Sequence, residues 1–90
     1  MKRIHFIVSC RVQGVFFRAF VKDKAQDLGL TGFVRNTEDK KIEVVAEGHE
    51  LKLKKLIEEC KKGPSSAIIE EVKVNVEPYT GEFKNFRIKY

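Results

Sequence analysis

Ninety residues with a 42% hydrophobic fraction are enough for one small domain, residues 1–90, and too few for two. The chain is 34% charged with a net charge of +5, yet its hydrophobicity is too high for a disordered segment. No apolar run reaches the ~18–20 residues of a membrane helix. The first residues favour a strand over a signal peptide, so we expect a cytoplasmic protein that contacts no membrane.

The positive charge is confined to the first part of the chain. Residues 1–41 contain nine Lys and Arg against four acids, a balance of +5, whereas residues 42–90 contain nine of each and balance to zero. The excess charge can attract an anionic substrate, or it can be a solvated surface without a role. Basic residues are not interleaved with aromatics in one run, so the pattern does not favour a nucleic-acid partner.

The first predicted element is a strand over residues 3–10, in which apolar side chains occupy alternate positions. A short loop follows it. The spacing of apolar residues then predicts a helix from about Phe17 to Leu28, with Gly29 placed to end it. This strand, loop and helix hold most of the residue types that suggest a function.

The remaining elements complete two repeats of one topology. Short alternating segments over residues 32–36 and 41–48 are close enough to form a hairpin. A second helix is predicted from about Glu50 to Lys62, and Gly-Pro stops it. Strands are predicted over residues 67–77 and 83–90. Two strand–helix–strand units in series, followed by one more strand, predict an α+β ferredoxin-like βαββαβ sandwich with an extra C-terminal strand.

The stretch from Ser9 to Arg18 has the features of an anion cradle. Gly14 permits a positive φ and lets an anion approach without a Cβ in the way. Backbone N–H groups at a helix start have no intrahelical partners, and the helix macrodipole is positive there. That dipole disfavours Arg18 unless an anion is bound nearby. An ordinary turn followed by a solvent-facing Arg is the alternative, and the glycine spacing fits no nucleotide-binding fingerprint.

Other residues that often carry chemistry lack suitable neighbours in the sequence. His5 and His49 have no metal-ligand spacing, and Cys10 and Cys60 are expected to be buried thiols. Asn36 ends a strand, where its amide could orient water or could simply favour the turn. We expect no metal and no cofactor, so catalysis would have to rely on position and electrostatics.

Four segments, in the same order, resemble the acylphosphatase family. They are VQGVFFR at 12–18, LGLTGFVRN at 28–36, IEVVAEG at 42–48 and KGP at 62–64. The resemblance covers nearly the whole chain. It implies a ferredoxin-like fold with two helices on one face of an antiparallel sheet. It also implies hydrolysis of the carboxyl-phosphate bond of acyl phosphates, giving a carboxylate and inorganic phosphate.

The resemblance also implies roles for particular residues. Arg18 is expected to bind the phosphate, Asn36 to orient the attacking water and Thr37 to help hold Asn36. The loop is expected to bind the same phosphate through its backbone N–H groups. The phosphate-binding residues implied in this way are Val12, Gln13, Gly14, Val15, Phe16, Phe17 and Arg18.

The sequence departs from the family pattern at three positions. Cys10 stands where Gly is usual, and Phe16 where a small residue is common. Lys40 replaces the Gly that commonly follows the Asp of the hairpin turn. We expect Phe16 to narrow the acyl side of the pocket and Lys40 to alter the turn.

Three other functions stay open. RNA-binding modules of this fold stack bases on aromatics of a central strand, but residues 42–47 contain no aromatic and two acids. A small-ligand regulatory domain usually needs a partner domain. A phosphate-binding domain without turnover would keep the loop and Arg18. We expect a monomer that takes a small acyl phosphate as substrate.

Overall fold

The computed structural model describes residues 1–10, 15–64 and 69–90. The elements in these ranges are β1 (Lys2–Cys10), α1 (Val15–Asp27), β2 (Thr31–Asn36), β3 (Ile42–Gly48), α2 (Glu50–Lys62), β4 (Ile69–Glu77) and β5 (Phe86–Ile88). The predicted order is confirmed. The first helix begins two residues earlier than predicted, and the predicted strand over 83–90 is reduced to three residues.

The strands form one sheet in the order β4-β1-β3-β2-β5. β1 is antiparallel to both β3 and β4, and β2 is antiparallel to β3. β5 instead pairs parallel with β2, with Ile88 opposite Val34. The ferredoxin-like fold with an extra strand is therefore confirmed, but the sheet is mixed rather than wholly antiparallel.

The direction of β5 follows from the path of the chain. Thr31 at the start of β2 and Arg3 near the start of β1 both pair with Glu47, and Arg3 also pairs with Glu77 at the end of β4. The chain therefore leaves β4 at the end of the sheet where β2 begins. After residues 78–85 cross to the other edge, β5 must run in the same direction as β2.

Both helices pack against one face of the sheet. The alternating apolar residues of β1 are buried as the sequence predicts, each at most 7% exposed. One face of the central strands and one stripe of each helix supply the core, which includes Phe6, Val8, Val34, Val44, Phe17, Val21, Leu53 and Leu56. Within the described ranges, neither 13-residue helix is long and apolar enough to span a membrane.

A buried carboxylate binds residues 78–85, the crossing segment between β4 and β5, to the sheet. Glu47 lies on the face away from the helices but is only 1% exposed, because residues 80–82 cover it. Its side chain accepts hydrogen bonds from the Thr80 N–H and hydroxyl, both at 2.9 Å, and from the Gly81 N–H at 3.1 Å. The crossing segment is thus held by donors aimed at one charged group.

Arg3 completes this cluster. Its guanidinium lies 3.3 Å from Glu47, 2.9 Å from Glu77 and 2.6 Å from Glu82. Burial alone would raise the pKa of Glu47, but the hydrogen bonds from Thr80 and Arg3 outweigh it and hold that pKa below its ordinary value. Glu47 is therefore a charged, fully hydrogen-bonded group at neutral pH.

Candidate functional site

The described part of the predicted site lies where β1 and β2 both end. Val8 and Asn36 each pair with Ile42 of β3, so the two strands end at the same side of the sheet. The helix that follows β1 begins at Val15 and packs on β2 and β5. Arg18 is its fourth residue, as predicted for the first helical turn.

Tyr90 connects Arg18 with the end of β2. Ile88 is opposite Val34 in a parallel pair, and the Lys89 N–H continues the pairing by donating to the Val34 carbonyl at 2.8 Å. Tyr90 therefore comes level with Asn36. The Arg18 guanidinium lies over the Tyr90 ring, 5.1 Å from its centroid. The structure thus brings Arg18 and Asn36 to one end of the sheet.

The Arg18 side chain has an unfilled hydrogen-bonding position. Its Nε–H is buried and has no acceptor among the residues that the structure describes. A buried donor without a partner is costly, especially on a charged group. Arg18 also places a cation near the positive end of the helix dipole. An anion at the start of α1 would offset both effects.

The residues that the family resemblance implies for phosphate binding differ in whether the structure describes them and in how exposed their side chains are. Three of them lie outside the described residues, so their roles stay predictions: Val12, Gln13 and Gly14. Phe17 is 1% exposed and belongs to the core, whereas the Phe16 ring is 78% exposed. Phe17 could therefore bind an anion only through its backbone N–H. The Phe16 side chain is exposed to solvent.

Asn36 is exposed at the end of β2. Side chains alternate along a strand, so Asn36 projects from the same face as the buried Val34, which is the face covered by α1. Its neighbour Arg35 projects from the other face and pairs with Glu43. The amide of Asn36 is therefore free to contact water on the side where Arg18 lies.

The turn after Asn36 is closed by Thr37. The Thr37 N–H donates to the Lys41 carbonyl at 2.9 Å, and the Lys41 N–H donates to the Thr37 hydroxyl oxygen at 3.0 Å. The Thr37 hydroxyl also bonds the Asp39 carboxylate, which lowers the pKa of Asp39. The altered turn residue, Lys40, adopts φ 63°, in the left-handed region.

Replacing Lys40 with Gly should stabilise the protein. A left-handed conformation costs a side-chain-bearing residue ~1 kcal/mol or more, and the greater unfolded-state freedom of Gly cancels part of the gain. We expect a net increase of about 0.5 kcal/mol in the free energy of unfolding, which corresponds to a rise in Tm of about 2–4 °C. Thermal unfolding followed by circular dichroism measures it. Lys41→Gly is the matched control, because Lys41 has no positive φ, and its Tm should fall. A similar shift in both variants would contradict the strain at Lys40.

The histidines and cysteines lie away from this end of the sheet or in the core. His5 Nε2 contacts the Glu43 carboxylate at 2.7 Å on the opposite face, and His49 precedes α2. Cys10 and Cys60 are buried thiols, as predicted, and burial raises the pKa of Cys60 to about 12. Across residues 1–10, 15–64 and 69–90, no three His, Cys, Asp or Glu side chains form a metal-binding group.

Comparison with known proteins gives consistent matches. A family model described as Acylphosphatase matches residues 4–88. A curated acylphosphatase from Marinobacter nauticus is 49% identical over 87 residues, covering 97% of this chain and 95% of its own length. Another from Syntrophus aciditrophicus is 47% identical over 90 residues, covering 100% of this chain and 94% of its own. The crystal structure of acylphosphatase from Bacillus subtilis has a TM-score of 0.94 and 34% identity, with both chains fully covered.

Proposed function

The chain belongs to the acylphosphatase family and hydrolyses acyl phosphates, and from this premise we propose that an Asn36-oriented water attacks a phosphate held by the loop and Arg18. The observation that carries the proposal is the buried Nε–H of Arg18, which has no acceptor among the described residues. A phosphate oxygen is an acceptor of the charge that this donor requires.

The phosphate lies at the start of α1. We propose that its oxygens accept hydrogen bonds from backbone N–H groups of residues 12–17, and that the helix dipole and Arg18 offset its negative charge. Tyr90 supports the guanidinium from one side, which limits its freedom before substrate arrives. The +5 balance of residues 1–41 also favours the approach of an anion.

Asn36 orients the attacking water. Its side-chain carbonyl accepts a hydrogen bond from that water and fixes one lone pair of the water oxygen towards phosphorus. A new P–O bond forms in line with the bond to the acyl oxygen, which breaks. The carboxylate departs with the electron pair of that bond. The contribution of Asn36 is positional, and positioning alone can supply a large part of a rate enhancement.

The water proton passes to a phosphate oxygen of the substrate itself. His5 is paired with Glu43 on the opposite face, and His49 is at the other end of β3. Neither is near Asn36 in the sheet register. A carboxylate is a good leaving group and requires no strong general acid. The reaction therefore proceeds by binding, orientation and charge neutralisation.

We also propose that the chain forms a single domain and acts as a monomer in the cytoplasm. Arg18, Asn36 and Tyr90 all come from one chain, which supports a site that needs no second subunit. The reaction takes a small acyl phosphate, releases inorganic phosphate and uses neither a metal nor a cofactor. β3 contains two acidic residues, Glu43 and Glu47, and no aromatic residue. This composition supports the absence of a nucleic-acid partner.

Release of inorganic phosphate from acetyl phosphate, with EDTA present, tests the proposal. We expect turnover well above spontaneous hydrolysis, unaffected by EDTA, and with a kcat that varies little between pH 5 and pH 8. A rate no higher than the spontaneous one would overturn the assignment of activity. Loss of activity with EDTA would overturn the metal-free mechanism, and a kcat that follows one ionisation near neutral pH would point to an enzymic base.

A further inference from the structure

A cavity of about 300 Å³ lies beside β2 and β5 on the face of the sheet away from the helices. Phe33 of β2 directs its ring to this face, because its neighbour Val34 is buried on the helix side. The crossing segment adds the ring of Phe83, whose centroid is 5.9 Å from that of Phe33 at an interplanar angle of 67°. The cavity therefore has two aromatic rings in its wall, and its volume is at the lower end of the range for small-molecule sites.

Three cationic side chains also line this cavity: Lys84, Arg87 and Lys89. Arg87 is directly opposite Phe33 in the β2–β5 pair, so both side chains project from the same face. The Lys89 Nζ lies 4.4 Å from the centroid of the Phe33 ring. Within the part of the chain that the structure describes, none of the three cations forms an ion pair.

One acidic residue, Glu82, is among the described residues that line the cavity. Its carboxylate already accepts hydrogen bonds from the Arg3 guanidinium at 2.6 Å and from the Thr80 hydroxyl at 3.1 Å. The bond from Arg3 lowers the pKa of Glu82, so this carboxylate stays charged and held by Arg3. Three cations and one acid leave the lining with a balance of +2.

We infer that this cavity binds a small phosphate that carries a planar aromatic ring, which is the chemistry of a nucleoside monophosphate. The ring of the ligand packs against Phe33 and Phe83, and the Arg87 guanidinium binds the phosphate oxygens in its planar fork. A phosphate dianion matches the balance of +2, whereas a carboxylate would leave one positive charge without a counter-ion.

The cavity is separate from the proposed phosphate site at the start of α1. Phe33 is three residues from Asn36 along β2, a distance of about 10 Å, and the two side chains project from opposite faces of the sheet. Arg18 belongs to α1, which covers the other face. The inference therefore does not depend on the proposed function, and the ligand does not require Arg18.

A ligand series on the unaltered protein is the first test. Amide chemical shifts of Gly32 and Asn85, which line the cavity, report binding in an NMR titration. We expect adenosine monophosphate to bind with a Kd at least about tenfold lower than that of adenosine, which lacks the phosphate, or of ribose 5-phosphate, which lacks the ring. A Kd for either fragment equal to that of the whole nucleotide would overturn the inference.

Two substitutions test the groups assigned to the ligand. Arg87→Gln should raise the Kd of adenosine monophosphate about fivefold or more. Lys52→Gln is the matched control, because it removes one positive charge from an exposed position of α2, and it should change that Kd by less than about twofold. Phe33→Leu should weaken adenosine monophosphate about fivefold but change the Kd of ribose 5-phosphate by less than about twofold. Should Phe33→Leu fail to fold, Arg87→Gln and the ligand series still decide the question.

Two further measurements exclude other kinds of binding. Arg18→Gln should leave the Kd of adenosine monophosphate unchanged, and a loss of binding in this variant but not in Arg87→Gln would place the nucleotide at the phosphate site instead. An oligothymidylate of about ten nucleotides should not bind more than about tenfold more tightly than thymidine monophosphate. A larger gain would make this face a surface for single-stranded nucleic acid and would overturn the small-molecule site. Hydrolysis of acetyl phosphate is measured separately, so either proposal can fail alone.

Discussion

Replacing Arg18 with Gln is expected to lower kcat/KM for acetyl phosphate by roughly 10³-fold. Gln keeps a polar side chain but removes the charge and the buried Nε–H, which has no acceptor among the described residues. In the proposed mechanism the charge and the Nε–H both act on the phosphate before and during displacement, so binding and turnover should weaken together. Inorganic phosphate, as product, should therefore inhibit the variant with a Ki at least ~10-fold higher. Steady-state kinetics and product inhibition measure both effects.

Asn36→Ala should separate turnover from binding. In the proposed mechanism the amide of Asn36 orients the water, so its loss should lower kcat by on the order of 10²-fold. The same mechanism gives Asn36 no contact with the phosphate, so the Ki of inorganic phosphate should stay within about twofold. Asn75→Ala is the matched control, since Asn75 is an exposed residue of β4, and its kinetics should be unchanged. If Asn36→Ala raised the Ki as much as Arg18→Gln does, the division of roles between the two residues would be wrong.

Local periodicity predicted most of the fold. The second helix was expected from Glu50 to Lys62 and has those bounds, because its apolar stripe and the following Gly-Pro are both local signals. The alternation in β1 likewise predicted which side chains enter the core. Elements whose limits depend on neighbouring residues in the chain can be found from the sequence.

Features that depend on distant segments could not be found in this way. The alternation over residues 42–48 placed Glu47 on one face of β3 but could not indicate that residues 80–82 would bury it. Tyr90 was expected only as a strand residue, and its contact with Arg18 depends on β5 running parallel to β2. Each of these contacts joins residues more than thirty positions apart, where periodicity carries no information.

The same limit applies within the candidate site. Arg18 and Asn36 were each ambiguous as single residues, since Arg can face solvent and Asn is common at turns. The resemblance to a family suggested them as a pair. The sheet register then gives a physical reason for pairing them, because β1 and β2 both end opposite the start of β3. Their roles in the reaction are what the kinetic variants test.

Glu47→Gln is expected to lower the free energy of unfolding by about 2–3 kcal/mol and Tm by about 10–20 °C. Gln has nearly the same shape, but it lacks the charge that Arg3 and the donors of Thr80 and Gly81 face. The control is Glu77→Gln. Its carboxylate contacts the same Arg3 but is 37% exposed, so its loss should cost less than ~1 kcal/mol. Equal losses in the two variants would mean that burial of Glu47 is not the cause.

The effect of Glu47 should also depend on pH in a defined direction. The folded state holds the pKa of Glu47 below its ordinary value of 4.5, so its stabilising effect is complete above that pH and is lost as the pH falls through the folded-state pKa. The stability difference between the parent and Glu47→Gln should therefore be largest near pH 7 and shrink below about pH 4.5. Glu47 lies five residues along β3 from Ile42, or about 16 Å from the site end. Below its Tm, the variant should therefore keep the kcat of the parent, and a large fall in kcat would show that the two ends of the sheet are coupled.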